Sequence, residues 1–126
     1  MDSSSTPTSK EKEILCIEEH GEICLLLSMM LGNKVKVAHA KDTNQAADYL
    51  KARHLVLVLI ENSFFENTGL LYAGKLKSTL PEMKVMMISA QDGWRKEAAR
   101  RAGVDIFLTK PFTKRQFLDS VVSLIH

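Results

Sequence analysis

The sequence predicts an α/β fold in which five parallel strands form one doubly wound sheet between two layers of helices. Strand-like apolar segments alternate with helix-like segments along the 126-residue chain, and this alternation is typical of parallel strands joined by right-handed crossovers. The central segment, residues 55–61, reads Leu-Val-Leu-Val-Leu-Ile-Glu. A strand that is apolar on both faces suits the middle of a sheet covered by helices on each side. The expected architecture is therefore a three-layer sandwich.

The predicted strands are short apolar segments. The first is followed by the adjacent acids Glu18 and Glu19. The second alternates polar and apolar residues, with Val35 and Val37 facing inward, and this pattern places it nearer an edge of the sheet. The five predicted strands span residues 14–17, 34–40, 55–61, 84–89 and 105–109.

The helices are predicted from apolar stripes and from start and stop signals. Gly32 and Asn33 stop the first helix. Two other helices begin at residue pairs with the spacing of a capping box, Asp42 with Gln45 and Thr113 with Gln116. The stripe of the first helix comprises Ile23, Leu26, Leu27, Met30 and Leu31. The five predicted helices begin at or just after residues 21, 42, 68, 93 and 113.

Length and composition favour one soluble domain. A chain of 126 residues can bury about two thirds of its unfolded surface. Residues 1–12 are mostly polar and are predicted to form a flexible tail, followed by a folded domain over residues 13–126. The content of 45% hydrophobic and 25% charged residues is ordinary for globular proteins.

Membrane and nucleic-acid binding are not expected. The apolar runs are shorter than the roughly 20 residues that span a bilayer. The first residues lack the basic end and apolar stretch of a secretory signal, so we expect a cytoplasmic location. The formal net charge of +2 is too small to indicate a surface for direct nucleic-acid binding.

The two cysteines, Cys16 and Cys24, lie in a strand-like and a helix-like segment. No CxxC spacing or set of histidines accompanies them, so a metal site or a disulfide is not favoured. The sequence favours two buried, reduced thiols that act as small core residues.

Polar residues follow the predicted strands and should meet at one edge of the sheet. Because parallel strands place their carboxyl ends together, residues far apart in sequence converge there. These residues are Glu18, Glu19, Glu61, Ser89 and Lys110. Three carboxylates, a hydroxyl and an ammonium are the groups that phosphoryl transfer to a carboxylate would use with a magnesium ion.

These positions and spacings resemble the receiver domain of two-component response regulators, over residues 13–126. The resemblance implies a flavodoxin- or CheY-like (βα)5 fold. It implies that Glu18 and Glu19 occupy the place of the acidic pair that binds Mg²⁺, and that Glu61, eight residues before Gly69, occupies the phosphoacceptor position and would also contact the metal.

The resemblance extends to the last two strands. Ser89, followed by Ala90, matches the switch hydroxyl of that family, and Lys110 with Pro111 matches its Lys-Pro pair. Phe107, three residues before the lysine, falls at the position of the switch aromatic. In the family these residues respond to the phosphoryl group.

The acids depart from the family pattern. Glutamate stands at position 61 where the family has the aspartate that accepts phosphate, and Glu18 and Glu19 replace an aspartate pair. The Met-Pro pair common after the acceptor is Phe64 and Phe65 here. Mg²⁺ requires near-octahedral geometry at about 2.0–2.1 Å, so three longer side chains would crowd or shift it. Magnesium binding is therefore expected to be weak or absent.

The expected function is that of an atypical receiver domain that acts by protein–protein interaction and is not an enzyme. The resemblance implies histidine kinases or other signalling proteins as partners, through the fourth helix, fifth strand and fifth helix. Trp94, Arg95 and Phe107 are candidate contacts on that surface, with Pro111 beside it.

Two alternatives stay open. The chain could be a working Mg²⁺-dependent receiver that takes phosphate from a histidine kinase on Glu61. If Glu61 is not phosphorylated, its pairing with Lys110 could hold the domain in an active-like state. Alternatively, the same pair could belong to a scaffold that no longer switches. A flavodoxin-like cofactor binder is disfavoured, because the glycine-poor strand ends offer no phosphate cradle.

Overall fold

A computed structural model describes residues 12–52, 54–61, 68–90 and 94–125. Five parallel strands form one sheet in the order β2-β1-β3-β4-β5. The strands are β1 (Glu13–Ile17), β2 (Lys36–Ala40), β3 (Leu57–Glu61), β4 (Lys84–Ser89) and β5 (Ile106–Thr109). The helices are α1 (Glu22–Leu31), α2 (Thr43–Ala52), α3 (Thr68–Thr79), α4 (Trp94–Ala102) and α5 (Lys114–Ile125). The predicted doubly wound α/β fold is confirmed, with β3 at the centre and β2 at an edge.

The core has two apolar layers, one on each face of the sheet, because successive strand residues point to opposite faces. One layer contains Leu15, Ile17, Val58, Ile60, Val85 and Met87, and it packs against residues of α2, α3 and α4. The other contains Ile14, Cys16, Leu57, Leu59, Met86 and Ile88, and it packs against Leu27 of α1 and Phe117 and Val121 of α5. The central strands are therefore buried on both faces, as their continuous apolar sequence predicts.

Both predicted capping pairs form. Asp42 Oδ1 accepts a hydrogen bond from the Gln45 N–H at 2.9 Å, although the Gln45 side chain bonds the N–H of Lys41 rather than that of Asp42. At α5 the exchange is reciprocal, since the Gln116 N–H donates to Thr113 Oγ1 and the Thr113 N–H donates to Gln116 Oε1. Local sequence thus determines where these two helices begin.

Three strands begin later than predicted, and two of the delays have a visible cause. A short 3₁₀ helix, Gly32–Lys34, delays β2 to Lys36. Asp105, predicted as the first residue of β5, instead accepts hydrogen bonds from the Val85 N–H at 2.9 Å and from Lys77 Nζ at 3.0 Å. For β3, which begins at Leu57 rather than residue 55, we find no such cause.

Some predictions concern residues outside the described ranges, and the structure does not test them. The predicted tail of residues 1–12 lies almost wholly outside the described residues, as do Phe64 and Phe65. Within the described ranges, the helices are too short or too polar for any of them to cross a membrane.

Two leucines of α1 test the orientation of this helix. Leu27 is fully buried whereas Leu25 is 62% exposed. We expect Leu27→Ala to lower the free energy of unfolding by about 2–5 kcal/mol, because it removes buried apolar contacts and leaves a cavity. Leu25→Ala should change it by about 0.5 kcal/mol or less. Urea denaturation followed by circular dichroism measures both, and equal losses would contradict the packing described.

Candidate functional site

The carboxyl ends of β3, β4 and β5 bring three of the predicted site residues to one edge of the sheet. Glu61 is the last residue of β3, beside Ile88 of β4, and Ser89 is the next residue of β4. Lys110 directly follows β5, and its N–H donates to the Ser89 carbonyl oxygen at 2.8 Å. Ser89 is buried. Three of the five residues predicted to converge therefore lie at the ends of neighbouring strands.

Glu61 and Lys110 form an ion pair. Lys110 Nζ donates a hydrogen bond to Glu61 Oε2. The Glu61 side chain is only 18% exposed, so its charge is partly withdrawn from water, and a cationic partner offsets that cost. Glu61 therefore already has a counter-ion supplied by the chain itself.

Glu18 is committed to the start of α1. It is buried, and its two carboxylate oxygens accept the N–H groups of Ile23 at 2.8 Å and Cys24 at 2.6 Å. Gly21, the residue that precedes the helix, has φ 81° and no side chain with which to cap it. A carboxylate near a helix N-terminus satisfies free N–H groups and interacts favourably with the helix dipole. Glu18 therefore acts as the cap that glycine cannot provide.

His39 holds the same turn from the neighbouring strand β2. Its Nε2–H donates to the Glu18 carbonyl oxygen at 2.7 Å. The imidazole ring also packs against Gly21, where a Cβ would lie 3.3 Å from a ring carbon. Glycine suits position 21 because it adopts a positive φ easily and leaves room for the close approach of the His39 ring.

Glu19 is exposed to solvent. Its side chain is 65% exposed, and its Oε1 lies 3.6 Å from Nε2 of His20. The adjacent acids therefore take different roles, one inside the turn and one in solvent. The structure does not bring the three predicted acids together around one point.

A magnesium ion does not fit the acids as they are placed. Both Glu18 oxygens accept backbone N–H groups, and Glu61 is paired with Lys110. Among the described residues, no group of three or more His, Cys, Asp or Glu side chains could hold a metal ion. The roles of Glu18, Glu19 and Glu61 as magnesium ligands stay predictions.

The predicted partner surface comprises α4, β5 and α5. Phe107 of β5 is half-buried against the core layer on that face. It also lines a groove with Lys96 and Arg100 of α4. Pro111 is exposed and Arg95 is half-buried. Trp94 begins α4, but its side chain lies outside the described part of the chain.

The two cysteines belong to the same apolar layer of the core. Cys16 is buried as predicted, but Cys24 is only half-buried. A hydrogen bond from the Cys16 thiol, helped by the nearby His39 ring, lowers the pKa of Cys24 to about 7, while partial burial opposes this shift. The same thiol contact, with burial, raises the pKa of Cys16.

The fold and the arrangement of this edge define a signalling module of the receiver type. The family model for the response regulator receiver domain matches residues 14–122. The chain belongs to this family, whose members work in two-component signalling and interact with histidine kinases and other signalling proteins. Receiver domains typically bind Mg²⁺ at the phosphorylation site and are generally not enzymes.

Solved structures show the same fold. A response regulator from Thermotoga maritima superimposes with a TM-score of 0.81 at 20% identity, covering 91% of this chain and 98% of that one. The non-phosphorylated HemR receiver domain from Leptospira biflexa gives 0.80 at 20% identity, with coverages of 91% and 94%. A CheY-like receiver domain protein from Methanospirillum hungatei JF-1 gives 0.78 at 18% identity, with coverages of 90% and 92%. Comparison with curated proteins gives no significant match.

The different roles of the two adjacent acids can be measured. Glu18→Ala should lower the free energy of unfolding by about 1–3 kcal/mol, because the Ile23 and Cys24 N–H groups lose their acceptor. Glu18→Gln should cost less, since the amide oxygen still accepts a hydrogen bond. Glu19→Ala is the matched control and should cost about 0.5 kcal/mol or less. Equal losses at Glu18 and Glu19 in urea denaturation would refute the capping role.

Proposed function

We propose that this receiver domain acts by binding other signalling proteins, with phosphorylation at Glu61 impaired or absent. The observation that carries the proposal is the ion pair between Glu61 and Lys110. A carboxylate that accepts a phosphoryl group must approach phosphorus while cations neutralise the phosphoryl oxygens. Here the lysine is bound to the nucleophile itself, and that contact must break before the lysine can serve a phosphoryl group.

The length of the glutamate side chain supports the same proposal. One extra methylene places the carboxylate of Glu61 farther from its backbone than that of an aspartate would lie. Errors of about 1 Å in the position of a reacting group can cost about a hundredfold in rate. A glutamate at this position is therefore a poor substitute for aspartate as an acceptor.

Magnesium binding is proposed to be weak or absent for a related reason. Two backbone hydrogen bonds hold the Glu18 carboxylate at the start of α1, and turning it towards a metal ion would weaken them. Those N–H groups would then need other partners. The cost of this rearrangement opposes assembly of a metal site from the candidate ligands Glu18, Glu19 and Glu61.

Without a phosphorylation cycle, the domain holds one arrangement of its partner surface. The Glu61–Lys110 pair occupies the place where the resemblance puts the contact between lysine and the phosphoryl group, and Ser89 lies on the adjacent strand. We propose that histidine kinases or other signalling proteins bind the surface of α4, β5 and α5, with Phe107, Arg95, Trp94 and Pro111 as candidate contacts. A cytoplasmic location is proposed with this function.

A working phosphoacceptor is the second candidate. It is favoured by Ser89 and Lys110, which stand at the same edge as Glu61 and are the residue types that the family uses there. In this case a histidine kinase and Mg²⁺ would displace Lys110 from Glu61 towards the phosphoryl oxygens.

Intact mass spectrometry after incubation with acetyl phosphate and Mg²⁺ separates the two candidates. We expect no phosphoryl adduct on the wild-type chain, because Glu61 is paired and the metal site is incomplete. Glu61→Gln is the negative control, and a conventional receiver domain in the same reaction is the positive one. An adduct on the wild type that Glu61→Gln abolishes would overturn the proposal. An adduct gained only by Glu61→Asp would assign the defect to the added methylene.

A further inference from the structure

The outer side of α1 carries apolar side chains that the fold leaves uncovered. Leu25 is 62% exposed and Met29 is 74% exposed, although the other apolar residues of this helix pack against the sheet. Because the two residues are four positions apart, they lie next to each other on the helix surface. Leu27, between them in the sequence, is fully buried on the inner side. The two exposed side chains therefore form one apolar patch.

A charged residue lies at each end of this patch. Glu22 is exposed in the first turn of α1, three residues before Leu25. Lys34 is exposed at the end of the 3₁₀ helix, five residues after Met29. No other charged residue occurs between Glu22 and Lys34 in the sequence. We call these four residues the α1 face, and along the helix its character changes from negative through apolar to positive.

The order of charges determines what kind of surface fits the α1 face. A partner helix has to place a base opposite Glu22, apolar residues in the middle and an acid opposite Lys34. The α1 face itself has this order when it is read in the antiparallel direction. If a two-fold axis relates two copies, Leu25 of one meets Met29 of the other, Glu22 meets Lys34, and each contact occurs twice. A second copy of this chain therefore meets each of these requirements.

We propose that this chain forms a homodimer in which the α1 faces of two copies pair in antiparallel orientation. The inference goes beyond the proposed function, because α1 is not part of the surface formed by α4, β5 and α5. It is also independent of the state of Glu61, since it depends on the exposure of Leu25 and Met29 and on the charges beside them.

The size of the apolar patch predicts a reversible dimer rather than a permanent one. Stable interfaces bury about 1,200–2,000 Å² in total, and weaker associations bury less. Two exposed apolar side chains from each copy place this dimer in the smaller class. We therefore expect a dissociation constant between about 10 μM and about 1 mM, so that the dimer forms as the concentration rises.

A dimer of this kind leaves α4 uncovered in both copies. Leu27 of α1 packs on one side of the sheet, whereas Ala99 of α4 packs on the other. The dimer would thus present two copies of α4, and a partner with two binding sites would gain from the raised effective concentration. This consequence rests on the proposed function, whereas the dimer itself does not.

Sedimentation equilibrium of the full chain, from about 10 μM to about 1 mM, tests the dimer. A reducing agent keeps Cys16 and Cys24 from joining chains covalently. The average mass should rise from that of one chain towards that of two. Replacing Leu25 and Met29 together by glutamine should raise the dissociation constant about tenfold or more, because the apolar contact is lost. Leu71→Gln is the matched control, since Leu71 is 67% exposed on α3, on the opposite side of the sheet, and it should not affect the dimer.

Charge reversal tests the antiparallel orientation. Glu22→Lys alone and Lys34→Glu alone each place like charges together at both ends of the dimer. Each should raise the dissociation constant roughly threefold to tenfold at low ionic strength. An equimolar mixture of the two variants should associate like the wild type, because one chain then has two positive ends and the other two negative ends. A folding defect could not produce this rescue, and circular dichroism verifies that each variant is folded.

Several results would overturn the proposal. A wild-type chain that keeps the mass of one chain over the whole concentration range would show that another protein, or none, covers the α1 face. A dimer that survives the double glutamine variant, or that Leu71→Gln weakens equally, would place the interface elsewhere. Charge variants that associate no better together than alone would contradict the antiparallel pairing of Glu22 with Lys34.

Discussion

Burial of the central strand on both faces is the constraint on which the rest of the structure depends. β3 lies between β1 and β4, and its residues Leu57 to Ile60 are almost completely enclosed. A strand in this position can carry a charge only where it leaves the apolar layers, at its carboxyl end. Glu61 lies at this end and is only partly exposed to solvent. Lys110, which follows the edge strand β5, supplies its counter-charge. The topology of the sheet thus creates both the site and the need for its ion pair.

The sequence was sufficient to predict everything that depends on pattern. Apolar runs identified the five strands, the central position of β3 and the edge position of β2, and capping pairs such as Thr113 with Gln116 located two helix starts. The convergence of Glu61, Ser89 and Lys110 followed from parallel strand ends alone. Strand boundaries were less predictable, because side-chain contacts such as that of Asp105 with the Val85 N–H decide them.

Side-chain direction at the turn after β1 was not predictable from pattern. Glu18 and Glu19 are identical and adjacent, yet one caps α1 and the other faces solvent. A signal was present, since Gly21 cannot cap the helix that follows it and an acid shortly before such a helix is a natural substitute. The partial exposure of Cys24 had no comparable signal, because it depends on how α1 lies on the sheet.

A double-mutant cycle on Glu61 and Lys110 tests the central claim, that the carboxylate at the acceptor position is held by the lysine of the same chain. The variants are Glu61→Gln, Lys110→Met and the double substitution, with Glu97 and Arg100, an exposed pair on α4, as the matched control cycle. We predict a coupling energy of about 1–2 kcal/mol for the first pair in urea denaturation, because it is partly buried. The exposed pair should give a clearly smaller coupling energy, because solvent screens its charges. Losses at Glu61 and Lys110 that simply add, with no coupling, would contradict the account.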